Sequence, residues 1–382
     1  GVNLSFSDFF CIIILIILII KGKLSVPLTP TLYFLLVSIV VLFTSVFYVP
    51  NILQYNTQIV SILKNYIKLI AIFIYFIVGY SISKLNLIDK VLKWYSVFAL
   101  IIGIIGVIFT ILNIQILRNI LFFGNIRLRG LMNDPNYFSV VQTTALSYFV
   151  RTKKLKIKYK YLSIFILILS VIASGSKTGF VTLFCYFGLL MLENVSKINW
   201  KWSIITIFVI TVILLFLLYP SLVLNMIDDK LYTLESVIPA FNRIEPLLKG
   251  DINEAIFEGG SNRNLAWLTA LQIIKLSPIL GIGIGTYSNV AKWISGSNVI
   301  AHNTYLQLFS EWGMLLATIF FVYIIYILSK VLWSKKKKIE TNVILKDTII
   351  ILLIASLAIS LNNARMFWLF FGSLVFNVNM YD

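Results

Sequence analysis

The chain has one histidine, and its surroundings make it the first candidate for chemistry. Ala301-His302-Asn303-Thr304-Tyr305-Leu306-Gln307 joins a polar stretch to an apolar run. Imidazole is the side chain that takes and gives protons near neutral pH. Gln307 and Glu311 follow at a spacing of four, which puts them on one face of a helix. Upstream, Arg263-Asn264-Leu265-Ala266-Trp267 opens an amphipathic segment that closes at Ser277-Pro278-Ile279-Leu280-Gly281-Ile282-Gly283-Ile284-Gly285.

Two further polar motifs carry cations. Arg127-Leu128-Arg129-Gly130 leads into Asp134-Pro135-Asn136, where Asp134 suits a helix N-cap and Pro135 the first helical turn. A capped helix with flanking charge explains that pattern as well as an anion site does. Ala173-Ser174-Gly175-Ser176-Lys177-Thr178-Gly179 resembles a phosphate loop but lacks the glycine before its lysine. Small residues there would let backbone approach an anion, with Lys177 supplying charge. A lysine snorkelling from a helix end is the competing reading.

Other chemistries fit poorly. The Gly281-Ile282-Gly283-Ile284-Gly285 series lacks the spacing and the βαβ context of a dinucleotide fingerprint, and reads as a flexible turn returning the chain to the membrane. Cys11 and Cys185 both lie in apolar runs, so neither a disulfide framework nor a zinc site is expected, and no metal or cofactor is assigned.

The elements that must position these residues are membrane helices. The 382 residues are 59% hydrophobic and 12% charged, where a soluble domain carries about 25% charge. A span needs about 20 apolar residues. Apolar runs fall at 4–20, 31–49, 66–83, 92–112, 135–150, 159–174, 178–193, 201–219, 303–332 and 347–378. The last is broken at Asn362-Asn363-Ala364-Arg365 and reads as one interrupted span or a hairpin of two. The fold class is therefore all-α, a polytopic membrane helical bundle of about 10–12 spans, with a large extracytoplasmic loop of short helices.

The net charge of +17 follows topology rather than nucleic acid. Lysines crowd every second loop, as at Lys153, Lys154 and Lys156 and at Lys335 to Lys338, which assigns loops 151–160 and 333–346 to the cytoplasm. Loops 113–134, 174–178 and 220–302 then face outward. Loop 220–302 holds Asp228, Asp229, Glu235, Glu245, Asp251, Glu254 and Glu258, and its length implies function. Three regions are expected: N-terminal membrane helices over 1–124, a core over 125–332 and a C-terminal membrane segment over 333–382. The chain opens on Gly1 rather than Met, which leaves room for an earlier segment.

Taken in order, the motifs resemble the O-antigen ligase/polymerase superfamily of bacterial membrane glycosyltransferases. Arg129, Gly130 and Asp134-Pro135-Asn136 come first, then Ser174-Gly175-Ser176-Lys177-Thr178. Arg263, Trp267, Pro278 and Gly281-Ile282-Gly283 follow, then His302-Asn303, Leu306, Glu311 and Gly313. The likeness runs over roughly residues 125–320. It implies transfer of a glycan from an undecaprenyl-pyrophosphate carrier to an acceptor hydroxyl at the outer leaflet of the bacterial cytoplasmic membrane. Where the family commonly has arginine this chain has Lys177, which keeps the charge and loses the bidentate fork.

The resemblance makes His302 the base for the acceptor and Arg263 a catalytic cation. Arg129, Lys177, Asn303 and Glu311 become substrate-binding residues. Cations stabilise a departing pyrophosphate without a metal, and one in-line displacement inverts the anomeric centre. The expected activity is polymerisation of carrier-linked repeats for capsule, exopolysaccharide or O-antigen. The expected partners are the carrier-linked donor and acceptor and the bilayer. A flippase and a chain-length regulator are candidate companions, and no nucleic acid is expected. A ligase working on a terminal acceptor shares the same motifs. A flippase for lipid-linked glycans is the alternative of another class, although no inverted repeat supports it.

Overall fold

In the computed structural model the described residues are 6–114, 116–124, 126–195, 238–243, 263–333 and 339–380. Within them the chain is almost wholly helical. Helices α1 (Phe6–Ile20), α2 (Leu28–Asn51), α3 (Ile59–Lys84) and α4 (Ile88–Ile111) come first. A short helix α5 (Arg118–Leu121) precedes a two-stranded antiparallel ribbon, β1 (Phe122–Phe123) against β2 (Arg127–Leu128), with Phe122 opposite Leu128. Helices α6 (Pro135–Arg151), α7 (Ile157–Ala173) and α8 (Lys177–Val195) follow. After a 3-10 turn at Pro239–Arg243 come α9 (Arg263–Leu276), α10 (Tyr287–Ser295), α11 (Thr304–Trp333), α12 (Glu340–Ala355) and α13 (Arg365–Asn379).

The all-α polytopic membrane class read from hydropathy holds. Among the described residues four helices, α2, α3, α4 and α11, are long and apolar enough to cross a membrane. Helices α1, α6, α7, α12 and α13 are shorter, at 15, 17, 17, 16 and 15 residues. At about 1.5 Å per residue these reach about 22–26 Å, less than the roughly 30 Å hydrocarbon core. The span expected at 201–219, the acidic residues Asp228 to Glu235 and Glu245 to Glu258, and Lys335 to Lys338 lie outside the described residues.

Two boundaries differ from the hydropathy reading for one physical reason. Helix α3 begins at Ile59 rather than 66, and α12 at Glu340 rather than 347. Polar side chains end an apolar run but do not end a helix, because Lys, Gln and Glu are good helix formers. Thr341, Lys346 and Asp347 are buried in α12, and Lys346 Nζ lies 3.2 Å from Asp347 Oδ1. The broken segment 347–378 resolves as the hairpin alternative, with α12 and α13 joined through residues 356–364.

The chain divides into two compact units, residues 1–92 with 263–382, and residues 93–262. The first unit is centred on the pairing of α3 with α13. Gly79 allows it, since a Cβ there would sit 2.0 Å from the Leu369 carbonyl oxygen. Ser373 Oγ donates to the Gly79 carbonyl at 2.9 Å. In the second unit α6 packs against α7 and α8 around Leu128, Phe138 and Ala173.

An ion pair fixes α1 within the first unit. Arg365 Nε and Nη2 donate to Asp8 Oδ1 and Oδ2 at 3.1 and 3.0 Å, a bidentate fork, and Asp8 is buried. Removing one partner of such a pair leaves the other charge uncompensated, at a cost of about 3–5 kcal/mol. Arg365→Met should therefore lower the thermal unfolding temperature of the purified protein, and adding Asp8→Asn should recover part of the loss. Equal stability of Arg365→Met and wild type would show that the pair contributes nothing.

Candidate active site

In the second unit the two cationic motifs meet through one side chain. Asp134 caps α6 as the sequence suggests, accepting from the Asn136 backbone N–H at 2.6 Å, with Pro135 in the first turn. The cap holds Asn136 where its Oδ1 accepts from Ser176 Oγ at 2.9 Å and from Arg127 Nη2 at 3.2 Å. Arg127 Nε also donates to the Ser174 carbonyl at 3.1 Å. The Ser174-Gly175-Ser176-Lys177 turn is thus braced by the segment that precedes α6. Arg127, which carried no assigned role, is the buried brace.

Lys177 is the first residue of α8 and is partly buried. Ser176 Oγ accepts from the Gly179 N–H at 2.9 Å, so this serine caps α8. Gly175 has φ +55°, and a Cβ on it would meet the Ala240 carbonyl oxygen at 2.6 Å. The 239–243 turn therefore closes over this corner. A lysine here adds its charge to the positive end of a helix dipole, a combination suited to an anion. Arg129 is partly exposed, with Nε and Nη2 donating to the Ile120 and Asn119 carbonyls at 3.2 and 2.9 Å.

Arg263, His302, Asn303 and Glu311 belong to the other unit. Arg263 is the first residue of α9. His302 is exposed and occupies the left-handed region at φ +47°. Both its neighbours are anchored. Ala301 is fully buried. Asn303 Oδ1 accepts from the Leu306 N–H and its Nδ2 donates to the Leu357 carbonyl, both at 3.0 Å. Thr304 donates from its backbone N to Ser356 O at 2.8 Å and from Oγ1 to Ile359 O at 2.9 Å. The α12–α13 connection thereby clamps the turn that displays the imidazole. Asn303 is itself buried and engaged in that clamp.

Glu311 is buried on α11, where Gln307 Nε2 donates to its Oε1 at 3.1 Å, so the face predicted from their spacing forms. The Lys68 ammonium of α3 lies within electrostatic range of this carboxylate. So does the Tyr287 phenol of α10, whose pKa is raised above its ordinary value by burial first and by Glu311 second. Tyr287 Oη and Gln307 Oε1 are buried with no hydrogen-bond partner in the structure. Among the described residues no group of three or more His, Cys, Asp or Glu side chains could hold a metal ion.

The glycine series is packed rather than loose, which corrects its reading as a flexible turn. Ile282 and Gly283 N–H donate to the Ser310 and Glu311 carbonyls at 2.8 and 3.0 Å. A Cβ on Gly281 would meet Gly313 N at 2.5 Å. Next to Gly283 the second helix makes a π turn at Thr44–Tyr48, where Ser45 Oγ donates to the Ile284 carbonyl at 2.9 Å. The glycines serve close backbone approach, and they fix Glu311 from behind.

Lys68 is the charged residue that the motif reading passed over. The signal was present as Lys64 and Lys68 four residues apart in an apolar run, since ionisable residues within spans are rare and usually functional.

No curated protein and no solved structure matches the chain. One protein-family model does, described as O-Antigen ligase, over residues 162–321. The match includes Lys177, Arg263, His302 and Glu311 and leaves Arg129 and Asp134-Pro135-Asn136 outside. It points to a glycan-transferring membrane enzyme acting on lipid-linked glycans. Residues 162–321 are thus similar to the O-antigen ligase family, which is consistent with the O-antigen ligase/polymerase superfamily.

Proposed function

We propose that the protein polymerises undecaprenyl-pyrophosphate-linked oligosaccharide repeats at the outer leaflet of the cytoplasmic membrane, by inverting glycosyl transfer. The observation that carries this reading is His302, exposed on a left-handed turn whose flanking residues are clamped. A non-glycine residue held at positive φ stores strain that surrounding structure must support, a pattern concentrated at functional sites.

In the step, the acceptor hydroxyl oxygen attacks the anomeric carbon of the donor sugar. Its proton passes to the His302 imidazole. The bond from that carbon to the carrier pyrophosphate breaks, and the pyrophosphate leaves with the electron pair. Arg263, which opens a helix of the unit that carries His302, neutralises the charge that develops there, and Lys177 and Arg129 keep the phosphate-binding role that the family resemblance implies for them. Asn303 holds the turn in register, and Glu311 orders the buried end of the site. The alternation of basic loops in the sequence supports an outward position for the His302 end of α11.

The test is turnover of purified, carrier-linked repeat by the full-length protein in lipid. A ladder of products differing by one repeat is expected. Transfer of one finished glycan to a terminal acceptor, with no ladder, would replace polymerase by ligase, the reading favoured by the family description. Arg263→Ala should abolish the ladder while the protein remains in the membrane. Lys177→Arg should retain activity, since it keeps the charge and adds a fork that suits phosphate. Full activity in Arg263→Ala, or an inactive Lys177→Arg present at normal level, would count against the pyrophosphate assignment.

A further inference from the structure

In the unit built from residues 1–92 and 263–382 an apolar groove runs between α2 and α11. Its volume is about 180 Å³. Thr29, Tyr33 and Val37 line it from α2, and Trp312, Ile319 and Tyr323 from α11. Thr29 and Val37 are eight residues apart in sequence, and Trp312 and Tyr323 eleven. At about 1.5 Å per residue the groove therefore extends about 12–16 Å along the helix axes. Half of a roughly 30 Å hydrocarbon core is about 15 Å, so the groove is one leaflet long. Ile319 is 45% exposed, and the groove opens sideways from the bundle.

Contacts place cations at one end of it. Phe34 stacks on Phe73 with centroids 3.9 Å apart, and the Ser25 N–H donates to Ser81 Oγ at 3.0 Å, so α2 starts beside the C-terminal end of α3. Lys84 ends α3, and its Nζ donates to Ser25 Oγ at 3.4 Å, four residues before Thr29 in the groove wall. On α11 Tyr323, Tyr326 and Lys330 share one face by their spacing. Lys330 Nζ lies 4.8 Å from the Tyr326 ring centroid and within electrostatic range of the Tyr323 phenol, which lines the groove. Tyr80, one turn before Lys84 on α3, is within range of the same phenol. The Tyr323 end of the groove thus has a lysine beyond it on each of two helices. Lys21 and Lys23 are exposed just before α2, at the same end. Their loop is among those that charge alternation assigns to the cytoplasm.

We infer that the groove holds one acyl chain of an anionic phospholipid of the cytoplasmic leaflet, with the lipid phosphate at the end formed by Lys84 and Lys330. Length and charge together select this occupant. The groove matches a single leaflet, which suits an acyl chain and not a far longer polyprenyl tail. The cations stand where headgroups of that leaflet lie, and basic side chains next to a span attract its anionic lipids. A zwitterionic phospholipid fills the same groove without using the charge. The bound chain packs between α2 and α11 and joins them where their own side chains leave a gap. The site lies at the opposite end of α11 from His302 and does not depend on which glycan transfer the protein performs.

The test titrates the detergent-purified full-length protein with phosphatidylglycerol or phosphatidylcholine and counts bound lipid by native mass spectrometry. Wild type is expected to hold one phosphatidylglycerol about tenfold or more tighter than phosphatidylcholine, the effect of two basic side chains on one anionic headgroup. Lys84→Gln with Lys330→Gln should erase that preference, and Lys84→Arg with Lys330→Arg should keep it. Ile319→Trp fills the groove from its exposed rim and should displace both lipids. Thr29→Trp does the same from the opposite wall, so the result does not rest on one variant folding. Equal retention of the two lipids by wild type, or an unchanged preference in the double Gln variant, would overturn the headgroup assignment. Undiminished binding in both Trp variants would overturn the groove. Displacement of phosphatidylglycerol by an equal amount of undecaprenyl phosphate would make the occupant a polyprenyl lipid and end the proposal.

Discussion

Replacing His302 with Ala is expected to slow turnover about 10²–10⁴-fold, the usual contribution of a positioned general base, while carrier binding persists. The turn complicates the experiment, because residue 302 sits at φ +47° and alanine disfavours that region by about 1–2 kcal/mol. His302→Asn separates the two effects. Asparagine is enriched at positive φ and cannot act as a base near neutral pH. It should fold like wild type, bind carrier pyrophosphate and still turn over slowly. Wild-type rates in His302→Ala with purified substrate would end the assignment and shift attention to Glu258 or Glu311. A slow His302→Ala beside a fast His302→Asn would make the residue's role one of shape.

Gly313→Ala should be the most damaging single-methyl change in the described part of α11. Gly313 has φ +78° and ψ +164°, a region essentially reserved for glycine. A Cβ there would stand 2.0 Å from the Ile279 carbonyl oxygen, which is backbone and cannot turn aside. Strain of about 1–3 kcal/mol adds to overpacking of about 1–3 kcal/mol, together a large part of a typical stability. Detergent-solubilised Gly313→Ala should therefore aggregate or melt well below wild type. Gly296→Ala is the control, since its φ is +71° but nothing lies within 4 Å of the added methyl. It should lose only the smaller backbone cost. Similar behaviour of the two variants would mean that the Gly313 contact is not the source of the damage.

The helical class and most helix centres could be read from hydropathy, because spans announce themselves by length and apolarity. The Asp134 cap and the shared face of Gln307 and Glu311 were legible for a local reason: both depend on residues two to four apart. What was not legible depends on distant partners. Nothing near Arg127 in the chain indicates that its guanidinium reaches Ser174, 47 residues on. The glycines of 281–285 look like looseness in sequence and become tightness only when α2 and α11 close on them. Lys68 was hidden differently, since a hydropathy average absorbs one charge among many aliphatic neighbours. His302 was identifiable by being alone, whereas its left-handed backbone and its clamp required coordinates.

The Asp8–Arg365 fork also has a consequence in time. Its partners are separated by 357 residues, so at about 5–20 residues per second the ribosome needs roughly 20–70 s to deliver the arginine after the aspartate. Throughout that interval α1 carries an acid whose guanidinium does not yet exist. The helix must wait at the insertion machinery or the bilayer surface, or enter with its carboxyl protonated, until the last described helix arrives. Seating of α1 is thus a late event in biogenesis. A nascent chain stalled anywhere before Arg365 would display an unsatisfied acidic helix for quality-control proteases to find.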